Sequence, residues 1–109
     1  MEDTKDQIKV LVADDSVFMR MLIKDILETD PSIRVCSQAK DGKEAGEFAL
    51  RDNPDVVLMD ITMGQYDGIF GVKKIMESHP KPIIILSAIG NTDMTPVLDA
   101  LSAGAIVDT

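Results

Sequence analysis

The sequence predicts an α/β fold, a doubly wound five-stranded parallel sheet, from three observations. Short apolar runs of strand length alternate with amphipathic segments of about ten residues, the pattern of strand–helix–strand crossovers. The run Ile8–Ala13 is almost continuously apolar, as expected for a strand covered by helices on both faces. The chain has 109 residues, the size of one compact domain, and no repeat, low-complexity tract or linker divides it.

The elements follow in order. After the first strand, Ser16 offers a helix N-cap. Phe18, Leu22 and Ile26, with Met19, Ile23 and Leu27, form a broad apolar face, and Arg20, Lys24 and Glu28 line the opposite side. Asp30-Pro31 stops this helix. Residues 33–37 are a second strand. Asp41 and Glu44 form a variant capping box, and Ala45, Phe48 and Ala49 mark the buried face of a second helix that ends at Asn53-Pro54. Residues 55–59 are a third strand. Ile69, Val72, Ile75 and Met76 carry a third helix, closed at His79-Pro80. Residues 83–87 are a fourth strand. Thr95-Pro96 starts a fourth helix and Gly104 ends it. Residues 105–107 begin a fifth strand. A fifth helix has no place within the chain, so the domain is expected to be C-terminally truncated. Its first helix then lacks a neighbour, which favours self-association.

Composition narrows the function. Eleven basic residues against 19 acidic ones give a formal charge of −8. No basic patch is present to neutralise nucleic-acid phosphates or an anionic membrane. The acidity suits a cation site or a basic partner, and much of it serves solubility. No apolar run approaches the roughly 20 residues that span a bilayer. Residues 1–7 are polar and acidic, unlike a signal peptide, and are expected to be a lead-in. Cys36 is the only cysteine, so no internal disulfide forms and a cytoplasmic location is expected.

The chemistry sits at the carboxyl ends of the strands, where open α/β sheets bind ligands beside a topological switch point. The first strand ends in Asp14-Asp15, the third in Asp60 and the fourth in Ser87. In a 2-1-3-4-5 strand order the first and third strands are neighbours about 4.8 Å apart, and the three acids converge. Three carboxylates in one cleft repel each other. A hard divalent cation relieves that repulsion, and Mg²⁺ suits a few carboxylates plus retained waters. The cation can also bridge to an incoming phosphoryl group. An aspartate then serves as a nucleophile that forms an acyl phosphate. Taken singly, each acid is as well explained as a helix cap, Asp15 and Ser16 above all.

Asp14-Asp15-Ser16, then Asp60-Ile61-Thr62-Met63 with Asp67-Gly68, then Ser87-Ala88, resemble the response-regulator receiver family over nearly the whole chain. The resemblance implies a flavodoxin-like fold and the following roles. Asp60 is the phosphoacceptor, phosphorylated by a sensor histidine kinase, and also a metal ligand. Asp15 is a direct Mg²⁺ ligand, Asp14 its acidic neighbour acting through water, and the backbone carbonyl of Thr62 the third protein ligand. Ser87 is the switch hydroxyl, and the resemblance leaves room for a C-terminal output domain without identifying one. Within the family, Phe18-Met19-Arg20, His79-Pro80-Lys81-Pro82 and the Asp60-to-Ser87 interval most resemble chemotaxis receivers, in particular that of the chemotaxis methylesterase.

Some positions depart from the family. Gly64 replaces the usual proline, Tyr66 a frequent methionine, and Asp108 the usual aromatic switch residue. The family's active-site lysine would fall beyond Thr109. These departures favour, as an alternative, a degenerate receiver that only binds protein. A Mg²⁺-dependent phosphohydrolase needs an Asp-x-Asp pair, and here the two acids are adjacent. His79 is expected to be an ordinary surface residue, and Lys81 lies at the opposite end of the sheet. Lys40 and Lys43 lie on the wrong side of the first strand. Cys36 is expected to be buried, and the seven methionines mainly to fill the core.

Overall fold

The computed structural model describes residues 7–60, 63, 67–86 and, for the backbone alone, 106–108. Its elements are β1 Ile8–Ala13, α1 Val17–Leu27, β2 Ile33–Ala39, α2 Gly42–Asp52, β3 Val56–Asp60, α3 Gly68–Ser78, β4 Ile83–Leu86 and β5 Ile106–Asp108. The strands form one five-stranded sheet in the order β2-β1-β3-β4-β5. Every pairing is parallel. The expected fold is therefore the observed one, with strand bounds moved by one or two residues. The expected fourth helix, between Thr95-Pro96 and Gly104, lies outside the described residues, as do Gly64 and Tyr66.

Local chemistry sets the helix ends. Ser16 Oγ accepts from the Met19 amide, Asp41 Oδ1 from Glu44 and Asp67 Oδ1 from Phe70, so each of the three described helices has a side-chain cap. The capping box of α2 is displaced by one residue. Glu44 reaches back to the amide of Lys40, not to that of Asp41. Asn53 ends α2 in the left-handed region at φ 49°, a conformation asparagine tolerates better than most residues.

Alternation along the strands divides the core in two. Leu11, Ala13, Val57, Met59, Ile83 and Ile85 face α2 and α3, where Ala45, Ala49, Val72 and Ile75 meet them. Val10, Val12, Val35, Val56 and Leu58 face α1, which contributes Ile23 and Leu27. Glycine brings α3 close to its neighbours: a Cβ on Gly71 would lie 2.8 Å from Met59 Cε and 3.1 Å from Gly42 Cα.

Strand β2 carries one extra residue. Val10 pairs with Val35, but Leu11 pairs with Ser37, which leaves Cys36 as a bulge. Val35 packs toward α1, whereas Ser37 donates from Oγ to Asp52 Oδ2 at the end of α2. The strand therefore changes face across Cys36. This corrects the expectation that Cys36 is buried: in the bulge it is only partly covered.

Helix α1 is the one expected to lack a neighbour, and its exposure agrees with that. Its broad apolar face is not buried, and no residue of the helix is fully enclosed. Arg20 and Glu28 reach toward edge strand β2, through Gln38 and the Val35 amide. Ile23 and Leu27 meet the sheet. Phe18, Leu22 and Ile26, on the helix side turned away from β2, are 72%, 41% and 60% exposed. A single helix lays one stripe on a sheet, and a wider apolar face needs a second neighbour. Two methionines of this helix, Met19 and Met21, are exposed as well, unlike buried Met59 and Met63.

Candidate functional site

Register explains how distant acids meet. Ala13 of β1 pairs with Met59 of β3, so the next residues, Asp14 and Asp60, leave neighbouring strands at the same level. Asp15 follows on the turn into α1. One carboxylate oxygen from each of Asp14, Asp15 and Asp60 lies within 4.8 Å of the others. Asp14 is the most enclosed, at 9% exposure, and Asp15 the most open.

The turn that carries Asp14 and Asp15 is held from several directions. The Asp14 amide donates to Ala39 O of β2 at 3.0 Å. Asp14 Oδ1 accepts from the Ser16 amide at 2.9 Å. Ser16 caps α1, so Asp15 is not needed as its cap. Arg20 adds a contact that sequence reasoning missed, having placed it merely on the polar side of the helix. Its Nη1 donates to the Asp14 carbonyl at 2.6 Å and its Nε to Gln38 Oε1 at 3.3 Å.

The donor set fits a hard divalent cation. All three side chains offer carboxylate oxygen. Their oxygens, all within 4.8 Å of one another, are close enough to share one such cation. Thr62 and Ser87, the other expected site residues, lie outside the described residues.

Residues set aside on sequence grounds fall elsewhere. Lys40 pairs with Glu44 at 3.9 Å, beyond the outer strand β2. At the opposite end of the sheet, Asn53 Oδ1 meets both His79 Nε2 at 3.0 Å and Lys81 Nζ at 2.5 Å. Asp67, from the family-like Asp67-Gly68 pair, is the cap of α3. Among the described residues, no helix is long and apolar enough to cross a membrane.

Known proteins share this fold. Residues 10–107 match the family described as response regulator receiver domain. The protein-glutamate methylesterase/protein-glutamine glutaminase of Pseudoalteromonas atlantica is 49% identical over 98 residues, covering 90% of this chain and 26% of that protein. Its namesake in Pyrococcus horikoshii is 43% identical over 100 residues, covering 92% and 27%. The chain thus spans about a quarter of the length of the curated relatives it matches. Among solved structures, the response regulator domain of Thermotoga maritima CheB superposes with a TM-score of 0.85 at 42% identity, over 93% of this chain and 75% of that one. A chain of the CheX-CheY-BeF3-Mg²⁺ complex from Borrelia burgdorferi gives a TM-score of 0.76 at 30% identity, over 99% and 88%. With the family matched almost end to end and the acid cluster at its switch point, the chain belongs to the response regulator receiver domains of two-component signalling.

Proposed function

We propose that Asp60 accepts a phosphoryl group from the phosphohistidine of a sensor histidine kinase, in a Mg²⁺-dependent reaction, and that the acyl phosphate switches an output through a change of conformation. The observation that carries this reading is the convergence of Asp14, Asp15 and Asp60 within 4.8 Å at the ends of neighbouring strands. Bound Mg²⁺ would neutralise charge between the carboxylates and the phosphoryl oxygens. Asp15, the most open of the three, and Asp60 are the direct side-chain ligands. Asp14 has one oxygen held by the Ser16 amide and acts through water. The Thr62 carbonyl completes the protein ligands. An oxygen of Asp60 attacks phosphorus, and the O–P bond forms as the donor's P–N bond breaks. The electron pair leaves on the imidazole nitrogen, which takes up a proton. The Ser87 hydroxyl hydrogen-bonds a phosphoryl oxygen and reports the change.

Relatives named as methylesterases, and a T. maritima CheB neighbour, support a chemotaxis role with a methylesterase output domain in the whole protein. Intact-mass spectrometry tests the phosphoacceptor. With Mg²⁺ and a small-molecule phosphodonor, the wild type should gain one hydroxylamine-labile phosphoryl group and Asp60→Ala none. Equal labelling of both would identify another acceptor. Labelling of neither, together with no beryllofluoride complex, would leave a receiver that only binds protein.

A further inference from the structure

We propose that Arg20 is a positioning residue for the cation site, an inference that rests on Asp14, Asp15 and Asp60 being its ligands. The carbonyl that Arg20 grips, Asp14 O at 2.6 Å, belongs to the peptide joining Asp14 to Asp15. That peptide is planar, so fixing its oxygen fixes the plane from which both acids project. Among the described residues, the other bonds of the turn lie on the Asp14 side: the Ser16 amide bonds to Asp14 itself, and the Asp14 amide ties the end of β1 to β2. Arg20 is in turn held at both ends. Its amide donates to Ser16 O at 3.0 Å within α1, and its Nε donates to Gln38 Oε1 at 3.3 Å on β2. One residue thus ties together the first turn of α1, the edge strand and the peptide between the two acids.

Charge and position make opposite demands here, which gives the inference a sign. A guanidinium beside an acid cluster repels a cation, so Coulomb's law alone predicts tighter metal binding when Arg20 is removed. If its task is to hold the Asp14–Asp15 peptide, removal weakens binding, as loss of the outer partners of metal ligands does by about 10–100-fold. Lysine keeps the charge but has no planar fork to bond two oxygens at once, so Arg20→Lys should not rescue.

Mn²⁺ titration followed by electron paramagnetic resonance decides. The proteins are wild type, Arg20→Ala, Arg20→Lys and Gln38→Leu, each with its fold checked by circular dichroism. Binding about 10–100-fold weaker is expected for both Arg20 variants, and a smaller loss for Gln38→Leu. A folded Arg20→Ala that binds Mn²⁺ as tightly as wild type, or more tightly, overturns the inference. So does a variant that only melts earlier while its folded fraction keeps full affinity, since that is a purely structural role. If Arg20→Ala does not fold, Gln38→Leu carries the test, and unchanged affinity there overturns it. A folded wild type that binds no Mn²⁺ refutes the metal-site reading itself, a result distinct from unchanged affinity in the variants.

Discussion

The two faces of the sheet are built from the same strands and are covered very differently. Toward α2 and α3, strand side chains such as Val57, Met59, Ile83 and Ile85 are enclosed almost completely. Two helices lie side by side there, and Gly71 lets α3 come within contact distance of Gly42 in α2. Toward α1, Val10 and Val12 are enclosed, but Val56 and Leu58 are only partly covered. The helix itself keeps Phe18, Leu22 and Ile26 open. One face therefore holds the fold through dense packing. The other relies more on polar ties from α1 to β2, and those ties include Arg20 and the turn of the acid cluster.

Truncating one isoleucine on each face gives the sharpest contrast. Ile75 of α3 is 1% exposed and Ile26 of α1 is 60% exposed. Ile75→Ala should cost about 2–5 kcal/mol, because lost transfer energy and a cavity add. Ile26→Ala should stay within about 0.5 kcal/mol. Urea melts measure both, and similar losses would mean that α1 is covered after all.

Glycine substitution probes how tightly α2 and α3 approach. A Cβ on Gly71 would meet Met59 Cε, which can move, and also Gly42 Cα at 3.1 Å and Gly42 O at 3.2 Å, which cannot move without shifting α2. Gly71→Ala is expected to cost about 1–3 kcal/mol despite the better helix propensity of alanine. A Cβ on Gly46 would meet only Lys74, with Cβ at 3.1 Å. There the propensity gain of about 1 kcal/mol should roughly offset the crowding. If Gly71→Ala proves as mild as Gly46→Ala, the helices have more room than their separation indicates.

The open stripe on α1 should show itself in association. Apolar side chains grouped on one helix face favour contact with another surface. Sedimentation velocity of the 109-residue chain is expected to show concentration-dependent self-association, reduced in the double variant Phe18→Ser, Leu22→Ser. A sedimentation coefficient that does not change with concentration in either protein would refute this.

Much of this contrast was legible in the sequence, because periodicity records which residues are apolar and where strands end. It placed Asp14, Asp15 and Asp60 on one edge and gave Ser16 and Asp41 their capping roles. What it missed depended on tertiary geometry. The bulge at Cys36 appears only when β2 is aligned with β1, and no residue type announces it. The contact from Arg20 to Asp14 O pairs a side chain with a backbone carbonyl six residues away, which periodicity does not register. The open apolar face of α1, by contrast, agrees with the expectation that this helix lacks a neighbour.

The smallest expected effect is a pH dependence tied to the bulge, where each helix anchors to β2 through an acid. On the α1 side, Glu28 accepts from Lys24 and from the Val35 amide, and both bonds hold its carboxyl below the usual range. On the α2 side, Arg51 and then Ser37 hydrogen-bond Asp52 and lower its carboxyl from 3.8 to about 2. A depressed folded-state value means that the ionised form is favoured by folding. Asp52 thus stabilises the protein fully above about pH 4, and that contribution is lost as pH falls toward 2. Its side chain is 25% exposed, so solvent screening reduces the effect to about 1 kcal/mol. Urea melts of wild type and Asp52→Asn across this range should converge as the acid limit is approached. Ser37→Ala should remove less of the dependence than Asp52→Asn, because Arg51 is the larger cause. Amide hydrogen exchange at Val35 separates the two anchors: Glu28→Gln should speed it, while Asp52→Asn should leave it nearly unchanged. Equal acceleration by both variants would show that the bulge moves as one unit, with the two faces coupled through Cys36.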